Sequence, residues 1–301
     1  MSIINQLVVK SLPLVPKPLV RYFANRYIAG ETLADAVRCV RQINAEGACA
    51  TLDVLGEDIF TKEEAVASRN GSIEVLEAIT REKLDSNLSI KLTSLGLKLD
   101  KNFTVENVRE ILKVAAQNNI FVRFDMEDST CTTDTIDVFR TLHKEFPNTG
   151  IVLQAYLFRT EADTKSLMNG SMKNFRLCKG IYRESPGIAF QSREEVQQNY
   201  LKVLKLMLET KSYVGIATHD TVLVDGANKL IVDLGLKKNE YEFQMLLGVR
   251  PELRNKLVKD GHKVRLYVPF GQHWYGYSVR RFKENPEIAG YVARAVFTRN
   301  R

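Results

Sequence analysis

The chain has 301 residues, 45% of them hydrophobic and 26% charged, with a formal net charge of +7. Such a composition supports a full-size buried core and excludes a disordered, collagenous or disulfide-stapled chain. The positive excess is modest and unclustered over most of the sequence, so it does not argue for nucleic-acid binding.

Charge concentrates at the amino terminus, where residues 1–30 hold Lys10, Lys17, Arg21 and Arg26, no acidic residue, and apolar residues such as Ile3, Leu7, Leu12 and Phe23. Two readings suit that pattern: contact with an anionic membrane surface, or a helix packed under the rest of the fold. Pro13, Pro16 and Pro18 interrupt the segment, and no stretch reaches the ~18 apolar residues of a spanning helix. A soluble cytoplasmic protein is therefore expected, peripheral at most at the inner face of the membrane. Residues 1–47 read as an amino-terminal helical segment, with Glu31 to Asn44 its clearest helix. Cys39, Cys49, Cys131 and Cys178 are scattered, with no C-x-x-C and no histidine at zinc spacing, which predicts free thiols and no metal site.

From residue 48 onward, short apolar runs alternate with longer helical patterns. Strands are predicted at Ala48 to Val54, Leu88 to Thr93, Phe121 to Asp125, Ile151 to Tyr156, Phe175 to Lys179, Val214 to Thr218, Tyr241 to Leu246 and Val264 to Val268. Helices fall near 62–80, 103–117, 132–146, 161–171, 193–210, 221–234 and 251–259, and an eighth is expected over Tyr275 to Phe297. Thr61, Thr104 and Ser192, each followed by glutamates, mark helix starts. Eight βα units with near-continuous apolar strands predict an α/β chain forming one (β/α)8 TIM-type barrel over 48–301, with amino-terminal helical decoration. An open doubly wound sheet holding a dinucleotide would need a glycine-rich phosphate turn, and neither G-x-G-x-x-G nor a Walker loop is present.

Chemistry in such barrels gathers at the carboxyl ends of the strands. Read in order, those ends offer Lys91, Arg123 and Asp125-Met126-Glu127-Asp128, Gln154, Arg176 and Lys179-Gly180, Thr218-His219-Asp220, Glu242 and Gln244, and Tyr267. Lys91 and Asp125 read either as an ion pair that positions a substrate amine or carboxylate or as a structural salt bridge. The acidic run after Asp125 offers a divalent-metal alternative. Arg176 and Lys179 would face opposite ways on a strand unless the chain turns at Gly180, where a glycine lets backbone approach a flat cofactor or phosphate. His219 reads as a structural histidine or as a cofactor contact. After the last strand, Tyr277 shares a helical face with Arg280 and Arg281, because spacings of three and four bring side chains together. Paired guanidiniums suit a carboxylate, against the alternative of a solvated basic turn.

Taken together, Ser89-Ile90-Lys91-Leu92, Arg123-Phe124-Asp125-Met126-Glu127, Arg176-Leu177-Cys178-Lys179-Gly180, Ala217-Thr218-His219, Glu242-Phe243-Gln244 and Tyr277 to Arg281 resemble proline dehydrogenase, the monofunctional FAD-dependent enzyme that oxidises L-proline. The resemblance runs over roughly residues 45–297. It implies that Arg280 and Arg281 hold the proline carboxylate, that Tyr267 and Tyr277 wall the ring, that Lys91 and Asp125 lie on its other side, and that Leu177 packs against it. Arg176 would sit beside flavin N5, with Asp125 as its catalytic companion. Gln154 would contact the flavin ring, and Met126, Lys179, Gly180, Ile181, Thr218, His219 and Glu284 would bind FAD. It further implies hydride transfer to the flavin, 1-pyrroline-5-carboxylate as product, and electrons passed to a membrane quinone. Ile181 in place of a usual alanine, Ser185 before Pro186, and Gly276 in place of a usual proline depart from the family pattern. The competing readings are a flavin enzyme for another cyclic imino acid such as hydroxyproline, a Schiff-base lyase using Lys91, and a non-catalytic basic barrel.

Overall fold

The computed structural model describes residue 21 and residues 24–56 and 59–278. Arg280, Arg281, Glu284, most of the basic amino-terminal segment and most of the helix expected over Tyr275 to Phe297 lie outside the described residues.

Eight strands form a closed barrel in sequence order: β1 (Cys49–Val54), β2 (Ser86–Ile90), β3 (Val122–Phe124), β4 (Thr149–Gln154), β5 (Asn174–Cys178), β6 (Tyr213–Ala217), β7 (Tyr241–Leu246) and β8 (Val264–Phe270). Each is parallel to the next, and β8 closes on β1 through Cys49↔Arg265 to Val54↔Phe270. Alternation does the sorting. Leu52, Leu88, Phe124, Phe175, Leu177 and Phe243 point out of the barrel into the helix-covered core. Each contributes about 1.5–3 kcal/mol by burial. A one-residue slip would exchange that set for Arg123, Arg176 and Glu242, so the register is strongly specified.

The helices are α1 (Leu33–Ala45), α2 (Lys62–Arg81), α3 (Lys101–Gln117), α4 (Thr132–His143), α5 (Thr160–Asn169), α6 (Arg193–Glu209), α7 (Thr221–Asp233) and α8 (Pro251–Lys259). Thr61 and Ser192 start α2 and α6 with reciprocal capping boxes to Glu64 and Glu195, as their sequence context predicts. Thr104 does not start α3. Asp100 caps that helix through Phe103 N, and Thr104 sits inside the first turn, its hydroxyl donating to Asp100 O at 3.0 Å.

Five strands end earlier than the sequence suggests: Lys91, Asp125, Lys179 and Thr218 all lie just past the last ladder residue, and β4 stops at Gln154. Polar side chains that enter the mouth leave the ladder first. The chain before β1 seals the last seam. α1 packs across both β8 and β1, and the strap before it bonds the end of β8, with Ala29 N to Pro269 O at 2.9 Å and Gly271 N to Gly30 O at 3.0 Å. Residues 274–278 form a helical turn tied to the same strap by Trp274 Nε1 donating to Glu31 Oε1 at 2.9 Å.

Candidate active site

The inside of this barrel is charged, in two layers. The lower layer, toward the amino ends of the strands, holds Arg123, Glu242 and Arg265. Arg265 grips Glu242 with Nε at 2.7 Å and Nη2 at 3.2 Å, while its Nη1 donates to Ala50 O at 2.6 Å. Tyr213 OH donates to Glu242 at 2.9 Å and Lys263 approaches to 3.4 Å. Burial alone would raise the Glu242 carboxyl, but Arg265 and Lys263 outweigh it and hold it down at about 2. Arg123 is 2% exposed and donates to Asn174 O at 3.1 Å and Asn174 Oδ1 at 2.7 Å. Gly150 makes room for it: a Cβ there would stand 2.4 Å from Arg123 Nη1.

The upper layer opens toward the mouth. Arg176, on β5, donates from Nη1 to Asp125 Oδ1 at 2.7 Å. Ser89 Oγ donates to the same oxygen at 2.8 Å, and Tyr267 OH donates to Asp125 Oδ2 at 2.6 Å. Lys91 Nζ lies 2.6 Å from Asp53 Oδ1, 3.1 Å from Tyr267 OH and 3.7 Å from Asp125 Oδ2. Burial opposes ionisation of Asp125, yet Arg176, Lys91 and the Tyr267 and Ser89 hydroxyls outweigh it and hold the carboxyl below its ordinary value. Burial, reinforced by Asp125 and Asp53, pushes the Tyr267 phenol well above its own. Asp125 is therefore ionised and the Tyr267 phenol neutral at neutral pH. Gln244 joins the layers: its amide accepts from Arg176 Nε and donates to Glu242 Oε1 at 2.6 Å. Gly215 leaves it space, since a Cβ there would fall 2.3 Å from Gln244 Nε2.

Lys91, Asp125, Arg176 and Tyr267 thus meet as one cluster. Around it stand the residues expected to face a cofactor. Gln154 is buried at the end of β4 and donates to Met126 O and Glu127 O, both at 3.2 Å, while its Oε1 finds no donor among the described residues. Gly180 has φ +108°, a conformation that favours glycine, and a Cβ would strike the Tyr156 ring at 2.1 Å. Lys179, half exposed, reaches Asp220 Oδ2 at 3.3 Å, and Ile181 is exposed. Thr218 Oγ1 accepts from Asp220 N, and His219 Nε2 accepts from Leu246 N at 2.9 Å, which puts the imidazole proton on Nδ1. Tyr277 is buried in the turn after β8.

Leu177 does not join the lumen. It alternates with Arg176, is 0% exposed, and lies under α6, whose Tyr200 OH donates to Leu177 O at 3.0 Å. The aliphatic side chain on the lumen face of this layer is Leu246, in register with Tyr267. The acidic side chains after β3 turn to separate partners: Asp125 meets Arg176, Glu127 accepts from Thr93 N at 3.0 Å, and Asp128 accepts from Thr130 N at 3.0 Å. Sequence reasoning missed Asp53 and Ser89. Their parity with Lys91 along β1 and β2, where Asp53 pairs with Ser89, was the available signal.

A family model described as proline dehydrogenase matches residues 36–294. Proline dehydrogenase 1 of Bacillus subtilis (strain 168) is 37% identical over 276 residues, which cover 92% of this chain and 91% of that protein. Proline dehydrogenase of Deinococcus radiodurans is 34% identical over 278 residues, covering 91% and 89%. Among solved structures, proline utilization A (PutA) from Bdellovibrio bacteriovorus inactivated by N-propargylglycine aligns with a TM-score of 0.82 at 26% identity, over 88% of this chain and 33% of that longer one. On the family match, the sequence identities and the shared barrel, the chain belongs to the proline dehydrogenase family.

Proposed function

We propose that the chain oxidises L-proline to 1-pyrroline-5-carboxylate with FAD as its cofactor, and that the Lys91, Asp125, Arg176 and Tyr267 cluster is where proline is oriented. The observation that carries this reading is the upper lumen layer itself: a buried, ion-paired set at the carboxyl end of the barrel, in which Lys91, Asp125, Arg176 and Tyr267 are residues the family resemblance marks. The surroundings fit a flavin. Gln154 Oε1 offers a buried acceptor, Gly180 keeps the backbone clear of any Cβ, and Arg176 supplies a fixed cation at the rim of the lumen. Gln154, Arg176, Lys179, Gly180, Thr218 and His219 would hold it, with Met126, Ile181 and Glu284 as further contacts that the resemblance implies.

Bound FAD supplies an acceptor for the hydride from the carbon next to the proline nitrogen. The chain contributes orientation and electrostatics. Arg280 and Arg281, by resemblance, take the carboxylate as a guanidinium pair, and binding there is remote from the reacting carbon, so it serves alignment. Tyr267 and Tyr277 would wall the ring. Arg176 places positive charge where negative charge develops. Asp125 is held ionised by four partners and Tyr267 is held protonated at neutral pH. Passage of electrons to a membrane quinone, and peripheral contact through the basic amino terminus, belong to the same proposal. No helix among the described residues is long and apolar enough to cross a membrane.

Purified protein is expected to carry a flavin spectrum that bleaches on addition of proline under anaerobic conditions. Colourless protein with no flavin in the acid supernatant and no proline-dependent dye reduction would overturn the proposal. Arg281→Met is expected to weaken proline binding strongly while the flavin spectrum stays normal, and unchanged affinity would refute the carboxylate assignment.

A further inference from the structure

We infer that Asp53 is a positioning residue for this reaction, acting through Lys91; the inference rests on the proline-oxidation reading. Asp53 occupies the second-to-last position of β1, 1% exposed, and faces the lumen in register with Ser89. Its Oδ1 lies 2.6 Å from Lys91 Nζ, against 3.7 Å for Asp125 Oδ2, so the nearer counter-ion of Lys91 is the carboxylate on β1.

That choice of partner has consequences for every other group in the layer. With Lys91 drawn toward β1, Asp125 Oδ1 is left to Arg176 and Ser89, and Asp125 Oδ2 to the Tyr267 hydroxyl. Lys91 still reaches Tyr267 OH at 3.1 Å, which orients that phenol so that its own proton points at Asp125. Without the Asp53 charge, the ammonium would move onto Asp125 and compete with Arg176 and Tyr267 for the same two oxygens. Both the cation near the flavin and the aromatic wall over the ring would shift.

A fully buried carboxylate survives only with polar company. Behind the pair, between β1, β2 and α2, lies a cavity of about 30 Å³ whose polar lining is Asp53, Lys91, Ser68, Ser72, Ser89 and Ser94. It is roomy enough for a water molecule with several polar partners. The ion pair therefore stands between the lumen and a polar cavity at its back.

The test compares Asp53→Asn, Asp53→Glu, Lys91→Met and the Asp53→Asn/Lys91→Met double variant as flavin-loaded enzymes. Asp53→Asn is expected to lower kcat/KM for proline by about 100-fold, the scale of a small misplacement at a reacting centre. It should also move the alkaline limb of the kcat/KM profile to lower pH, because Lys91 loses its counter-charge. In the Lys91→Met background the same substitution should add nothing. Asp53→Glu should keep the alkaline limb at its original pH whatever its activity. Wild-type kcat/KM and pH profile in Asp53→Asn would overturn the inference, and so would a loss that persists undiminished in the Lys91→Met background, which marks a purely structural carboxylate. If Asp53→Asn does not fold, Asp53→Glu decides: an unmoved limb with reduced kcat/KM supports the inference, and a displaced limb overturns it. Failure of the underlying reading would appear separately, as an unmodified protein without flavin or without proline-dependent reduction.

Discussion

Two charged layers share one barrel, and they differ in what their charges face. In the lower layer every polar contact is to the protein: Glu242 is held by Arg265, Lys263, Tyr213 and Gln244, and Arg123 spends its donors on Asn174 and Ile151. In the upper layer the groups lie at or just past the carboxyl ends of the strands, where the mouth begins. The lower layer fixes the shape of the barrel, and the upper one inherits its orientation through the Gln244 amide. Buried ion pairs are costly to assemble and costlier to break, so the same chemistry suits architecture at the amino ends of the strands and, on the proposed reading, substrate orientation at their carboxyl ends.

The sharpest way to break that comparison is Glu242→Leu. It leaves Arg265 buried without its carboxylate, and is expected to cost about 3–5 kcal/mol. In a thermal scan that amounts to a fall of roughly 10 °C for a domain of this size. An unchanged melting temperature would remove the architectural role from the lower layer.

The same carboxylate predicts an acid limb of stability. Glu242 is depressed in the folded protein, so its contribution is fully present above its unfolded value near 4.5 and is lost as pH falls toward about 2. Denaturation midpoints measured between pH 6 and pH 3 should fall for the wild type and flatten for Glu242→Gln.

Tyr267→Phe addresses the upper layer. Removing the hydroxyl takes a donor from Asp125 and an acceptor from Lys91, and should lower kcat/KM for proline about 10- to 100-fold. Stability should change by no more than about 1.5 kcal/mol, the worth of a hydrogen bond. A large loss of stability with intact activity would reverse the assignment of the layers. The smallest effect is expected outside both. Thr32→Ala removes the capping box of α1, in which Thr32 Oγ1 accepts from Asp35 N at 3.2 Å. It should cost about 1 kcal/mol with kcat/KM unchanged.

The order and number of the strands were legible because outward-facing apolar residues recur in near-continuous runs, and the helix starts at Thr61 and Ser192 carried their own signals. Strand ends were read too long at Thr93, Asp125, Tyr156, Lys179 and Thr218, since composition does not mark where a side chain stops pairing and turns toward the mouth. Lys91, Asp125, Arg176 and Tyr267 were identified by position and resemblance, and the structure brings them together. Leu177 was misread because adjacency to Arg176 in sequence means opposition in a strand. Glu242 and Gln244 were read alike as strand-end groups, yet a single residue of β7, Phe243, separates a carboxylate committed to Arg265 from an amide that touches Arg176. Only the registers across β5, β6 and β7 reveal which layer each residue enters.

The strap and α1 occupy the seam between β8 and β1, so the cylinder wall is complete by Phe270. The strand ladder closes without any residue beyond Phe270. A wall finished by its own eighth strand and backed by the amino-terminal strap is one whose integrity is set before the chain runs out, from residues 29 to 270.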